Sequence, residues 1–103
     1  MAITTIVVSG KIVKPDGTAQ VGGKIQITPV TSGTVDDAGT EQQVSGALIV
    51  DIGQDGSVNF NIIPSAEYTG GSIDYNAKFI LPDGSVFTKV WTVPGTATDI
   101  GDL

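Results

Sequence analysis

The chain is 103 residues long, carries 5 lysines against 11 aspartates and glutamates for a formal charge of −6, and holds no arginine, histidine or cysteine. That length suits one domain, 1–103. Missing cysteine excludes disulfides, thiol nucleophiles and zinc-finger or iron–sulfur sites, and missing histidine excludes Ser-His-Asp and Cys-His catalysis. Without arginine, and with acid in excess, the electrostatic footprint of a nucleic-acid binder is absent too.

Valine, isoleucine and threonine number 12 each against 3 leucines. β-Branched side chains lose rotamer freedom in a helix and fit a pleated sheet, so the composition predicts an all-β fold, with 14 glycines and 5 prolines for turns. No apolar run approaches the ~18–20 residues of a membrane helix. Met1-Ala2-Ile3-Thr4-Thr5 has no basic region, so neither a secretory signal nor a membrane partner is expected.

Six segments carry a strand pattern. Ile3 to Val13 places Ile6, Val8 and Ile12 on one face and Thr5, Val7, Ser9 and Lys11 on the other. Lys14-Pro15-Asp16-Gly17-Thr18 then turns the chain, because proline presets one backbone angle and glycine accepts a positive one. Lys24 to Thr28 alternates, with Ile25 and Ile27 inward. Val44 to Ile52 sets Leu48, Val50 and Ile52 on one face, and Val58 to Ile62 buries Val58, Phe60 and Ile62. Ser72 to Leu81 alternates most cleanly, with Ile73, Tyr75, Ala77, Phe79 and Leu81 inward. Ser85 to Val93 places Phe87, Trp91 and Val93 together against Val86, Thr88, Val90 and Thr92, a pattern that suits a strand covered on both faces.

Asp-Gly recurs at Asp16-Gly17, Asp55-Gly56 and Asp83-Gly84, a strong hairpin signal between period-two segments. Antiparallel hairpins are therefore expected for Ser72–Leu81 with Ser85–Val93 and for Val44–Ile52 with Val58–Ile62. Thr31 to Gln43 and Pro64 to Gly71 read as loops at the sheet ends, and 94–103 as an extended tail. The whole predicts a single antiparallel two-sheet β-sandwich, Ig-like or transthyretin-like, of six to seven strands.

Candidate chemistry is sparse. Asp36-Asp37-Ala38-Gly39-Thr40-Glu41 lacks the alternating ligand spacing of a calcium loop and reads as a solvated acidic loop, so no metal and no cofactor are expected. Asp51, Asp55 and Asp74 form no carboxylate pair beside an aromatic cleft, and no nucleophile–base constellation survives, so no catalytic residues and no enzyme activity are expected. Trp91 sits at period two with Phe87 and Val93, which marks it as core. Tyr68, in the second loop, reads as an exposed aromatic. The long first strand stands at a chain terminus with two lysines for edge protection, an invitation to strand addition.

Ser9-Gly10-Lys11-Ile12-Val13-Lys14-Pro15-Asp16-Gly17-Thr18 resembles the opening strand and turn of transthyretin-like and carboxypeptidase-regulatory-like β-sandwich modules, and Asp55-Gly56-Ser57-Val58-Asn59-Phe60 looks like their later Asp-Gly-aromatic strand. Leu81-Pro82-Asp83-Gly84-Ser85-Val86-Phe87-Thr88, followed by Trp91-Thr92-Val93-Pro94, is similar to small β domains of tailed-bacteriophage virion proteins. The resemblance implies a capsid decoration protein on the outer surface of the major capsid protein, localised to a virion assembled in the host cytoplasm. Alternatives are the attachment domain of a tail or head fibre, and a carbohydrate- or receptor-binding module using Tyr68, Trp91 and the acidic loop. The chain's ending without a coiled-coil continuation favours the stand-alone protein over the fibre. Expected partners are the major capsid protein or another virion protein, with a homo-oligomer as a further option. Partner contacts are expected at Ile3, Val7, Tyr68, Ile100 and Leu103, through the first strand and the termini.

Overall fold

A computed structural model describes residues 3–82 and 84–103, with Asp37 by its backbone only. The chain is all-β. Its strands are β1 (Ile6–Lys11), β2 (Lys24–Pro29), β3 (Gly33–Asp37), β4 (Thr40–Val44), β5 (Leu48–Asp51), β6 (Ser57–Ile62), β7 (Tyr68–Thr69), β8 (Tyr75–Ile80), β9 (Val86–Trp91) and β10 (Thr98–Asp99). Helix is limited, among the described residues, to single 3-10 turns at Ser65–Glu67 and Ile100–Asp102.

These strands form three small sheets, ordered β10-β1-β6, β5-β2-β8-β9 and β4-β3-β7. The first two turn their apolar residues into one core. Ile6, Val8, Val58, Phe60 and Ile62 come from one sheet, and Ile25, Ile27, Ala77, Phe79 and Trp91 from the other. Alternation accounts for every one of these positions. One ring contact joins the two sets, Phe60 stacked on Trp91 at 6.3 Å between centroids, while Phe79 meets Trp91 edge-on at 5.9 Å within the second sheet. Trp91 is buried as its period-two neighbours imply, and full burial of such a side chain contributes ~1.5–3 kcal/mol or more. Its indole Nε1 has no hydrogen-bond partner among the described residues.

Local chemistry sets the turns. Gly17 N–H donates to Lys14 O (2.9 Å) and Lys14 N–H to Thr18 O (2.8 Å); Gly56 repeats this with Gly53 (3.0 Å) and Gly53 with Ser57 (2.9 Å). Gly84 to Leu81 (3.1 Å) and Leu81 to Ser85 (2.9 Å) make it three, although Asp83 itself lies outside the described residues. In each the glycine is the fourth residue of the turn and takes a positive φ, at +85°, +79° and +89°. In the first two the aspartate carboxylate accepts from the backbone and hydroxyl of the residue two on, Thr18 or Ser57.

Several expectations change. The Asp83-Gly84 turn joins β8 and β9 as an antiparallel hairpin, as the alternation predicts. The Asp55-Gly56 turn does not make the expected hairpin. β5 pairs with β2 and β6 with β1, so this turn carries the chain from one sheet to the other. Bonds from Ile52 N–H to Gly23 O (3.1 Å) and from Ile12 N–H to Gly56 O (2.9 Å) commit the chain on either side of the turn to different sheets. Thr31 to Gln43 is not a loop: β3 and β4 form a hairpin around Ala38-Gly39, whose φ values of 56° and 88° fit a type I′ turn. The strand expected over Val44–Ile52 is accordingly split between β4 and β5.

The strand count is ten in place of six or seven among the described residues, and one pair, β1 with β10, is parallel. The 94–103 segment is docked, not extended. β10 lies along β1, and Gly10 permits the approach: a Cβ there would stand 2.9 Å from Ile100 Cγ2. β9 is an open edge and not a strand covered on both faces, with Val86, Phe87 and Val90 56%, 45% and 63% exposed.

Candidate functional site

The five residues expected to meet a partner are scattered. Val7 is exposed on the outer face of β1. Ile3 and Leu103 are partly buried and packed against the core, and Ile100 is buried under β1. Tyr68 is a correction: it is 3% exposed. β7 pairs with β3, which sets Tyr68 opposite buried Val35 and lays its ring over Gly33, where a Cβ would stand 2.9 Å from Tyr68 Cδ2. The first strand is a second correction. β6 pairs along the whole of β1, and β10 covers Val8 and Ser9 on its other side, so the edge expected to take an added strand is interrupted at its middle.

What the structure brings together instead is a recess of about 260 Å³ lined from all three sheets and their connections. Pro29, Val44, Ala47, Leu48 and Ile63 supply much of its apolar surface, with Tyr68 and Tyr75 beside them and Thr5, Ser45 and Asn61 as polar groups. Among the described residues that line it there is no lysine, aspartate or glutamate. Its volume lies just under the ~300–1,000 Å³ of small-molecule sites and suits one or two inserted side chains.

The two tyrosines form a directed relay. Tyr75 Oη donates to the Ile63 carbonyl at 2.7 Å, and the two phenol oxygens lie 2.7 Å apart. Since a carbonyl cannot donate, the Tyr75 proton is committed, and Tyr68 must supply the proton between the rings. Burial pushes the Tyr75 phenol well above the ordinary tyrosine range. Tyr75 is thus not a proton-transfer group near neutral pH. The recess can hold an apolar group and fix polar atoms at its rim.

The acidic segment sits elsewhere. Glu41, in β4, accepts from Thr69 Oγ1 at 3.1 Å, tying the hairpin to β7, and the Asp37 side chain lies outside the described residues. Among the described residues no group of three or more acidic side chains is placed to hold a metal ion. Sequence reasoning missed Val44, Ala47 and Thr5 because nothing in short polar connections forecasts which cavity they border. Tyr68 carried a signal as an unpatterned aromatic, but for exposure and not for burial.

No protein-family model matches the chain, and no curated protein matches its sequence.

Proposed function

We propose that the chain is a contact module of a virion: a tailed-bacteriophage structural protein, seated as a capsid decoration protein on the outer surface of the major capsid protein. The fold that goes with this reading is a two-sheet sandwich, β10-β1-β6 against β5-β2-β8-β9, with β4-β3-β7 appended at one end. Support comes from the Pro82-Asp83-Gly84 turn with Trp91-Thr92-Val93-Pro94, which resembles phage β domains, and from a composition without arginine, histidine or cysteine.

The observation that carries the reading is the uncharged recess lined by Tyr68, Tyr75, Val44 and Leu48. A partner side chain such as leucine or phenylalanine that enters it removes apolar surface from water on both sides, about 1.5–3 kcal/mol for one anchor. Thr5, Ser45 and Asn61 fix register by hydrogen bonds. Tyr68 and Trp91, on which a sugar-binding reading rests, are both buried and present no stacking face.

Ala47 is exposed at the recess, so Ala47→Trp fills the space without disturbing the core. Purified capsids lacking the protein are expected to bind this variant at least tenfold more weakly than the unmodified chain, with no change in thermal midpoint. Unchanged binding by Ala47→Trp would remove the recess from the contact.

A further inference from the structure

We propose that β9 is a self-pairing edge: two copies of the chain join β9 to β9 antiparallel about a two-fold axis at Thr88, making one continuous eight-stranded sheet from two four-stranded ones. The surface is distinct from the recess, and the two readings stand or fall separately.

Hydrogen-bond parity comes first. Leu81 N–H donates to Ser85 O at 2.9 Å at the closed end of the β8–β9 hairpin. In an antiparallel ladder bonded and non-bonded pairs alternate, so Phe79/Phe87, Ala77/Lys89 and Tyr75/Trp91 are the bonded pairs. The N–H and C=O groups of Val86, Thr88 and Val90 therefore point away from β8, along an edge that no other strand of the described residues covers. A two-fold at Thr88 sets Thr88 against Thr88 and Val86 against Val90 of the second copy. All six main-chain donors and acceptors on each side then find partners, in six hydrogen bonds.

The side chains fit the same register. On the outer face Val86 and Val90, 56% and 63% exposed, cover one another twice, next to Ile80. On the other face Phe87, 45% exposed, comes opposite Lys89 of the second copy. The Lys89 ammonium donates one bond to Leu103 O at 3.1 Å and keeps two protons and its charge for the ring face. A slip of two residues one way sets Lys89 against Lys89, and the other way shortens the ladder. A slip of one residue mismatches the faces. The strand holds no acid, proline or bulge, and its one lysine, Lys89, lies on the Phe87 face, where the pairing gives it a ring to cover.

Charge and area set the strength. Each copy carries −6, so the bodies repel while the β9 edge attracts. Salt screens the repulsion over ~10 Å at 0.1 M, so association strengthens as salt rises. An edge pair of this length buries on the order of 1,000 Å², under the ~1,200 Å² of stable complexes, which places the dimer in the transient class.

The test is amide exchange by NMR on the full chain at rising concentration, alongside sedimentation velocity. The amides of Val86, Thr88 and Val90 are expected to slow at least tenfold between dilute and near-millimolar protein as a dimer appears. Those of Phe87, Lys89 and Trp91 should be protected throughout. Thr88→Pro deletes an outward N–H that β8 does not use, and is expected to abolish the concentration dependence while leaving Trp91 emission unchanged. Val90→Lys serves the same end without touching the backbone. A chain that stays monomeric with those three amides fast overturns the proposal, as does a dimer that survives both substitutions.

Discussion

Removing the hydroxyl of Tyr75 and removing that of Tyr68 are not equivalent, although the two rings share one hydrogen bond. Tyr75 Oη donates to Ile63 O and accepts from Tyr68, at 2.7 Å each. Tyr75→Phe therefore breaks two bonds and leaves two groups, the Ile63 carbonyl and the Tyr68 hydroxyl, without their partner. Tyr68→Phe breaks one bond and leaves only a lone pair on Tyr75 that already donates elsewhere. A buried polar group left unsatisfied costs about 1–3 kcal/mol, whereas a lost neutral bond costs about 0.5–1.5 kcal/mol. Tyr75→Phe is thus expected to destabilise by roughly 2–4 kcal/mol and Tyr68→Phe by about 1 kcal/mol, from these values. Urea unfolding measures both, with the denaturant slope unchanged to show that the two states are the same. A second signature is alkaline. The Tyr75 phenol titrates above its unfolded value of about 10, so the unfolded chain releases that proton first. Its contribution is full below pH 10 and declines as pH rises beyond it, and Tyr75→Phe should flatten that decline. Equal costs for the two variants, or a larger cost for Tyr68→Phe, would refute the direction assigned to the relay.

Other positions give independent checks. Ser65 Oγ accepts from the buried Val93 N–H at 2.8 Å, so Ser65→Ala should cost about 1–3 kcal/mol and lower the thermal midpoint by ~4–8 °C per kcal/mol, read by calorimetry. Ala38 holds a φ of 56° in the type I′ turn of β3–β4, and Ala38→Asn should raise stability by about 0.5–1 kcal/mol in the same assay, through relief of that left-handed residue. Hydrogen bonds from Thr18 to Asp16 and from Ser57 to Asp55 hold both carboxyls below 3.8. The stability they contribute is present above pH 3.8 and is lost as pH falls through their folded values. Carboxyl NMR titration should show both still ionised just below pH 3.8, and Thr18→Ala should move Asp16 alone back towards it.

The buried faces were legible because a strand with one face in the core must alternate. Ile25 with Ile27, Val58 with Phe60 and Ile62, and Tyr75 with Ala77 and Phe79 all point inward as their spacing requires. Turn chemistry was legible as well, but only locally. Asp55-Gly56 specifies a reversal, while the sheet that the next strand joins is decided by bonds to Gly23 and Ile12, far away in sequence. β4 was invisible since Thr40-Glu41-Gln42-Gln43 has no apolar residue to alternate, and its strand conformation is imposed by pairing with β3. β10 is too short to carry a period. Tyr68 was misjudged because proline and glycine flank it, whereas its burial follows from Gly33 and Val35 on the partner strand. Phe87 shows the converse. Alternation put it on the core side, where its ring stacks on Phe79 at 4.7 Å, but its strand is the edge of the sheet and leaves it half exposed.

Copy number in intact particles bears most directly on the proposed role. Quantitative mass spectrometry of purified virions, scaled to the major capsid protein, should find this chain in hundreds of copies, at a fixed ratio to the capsid subunit. A few dozen copies would place it on a fibre instead, and a protein absent from the particles would contradict the account.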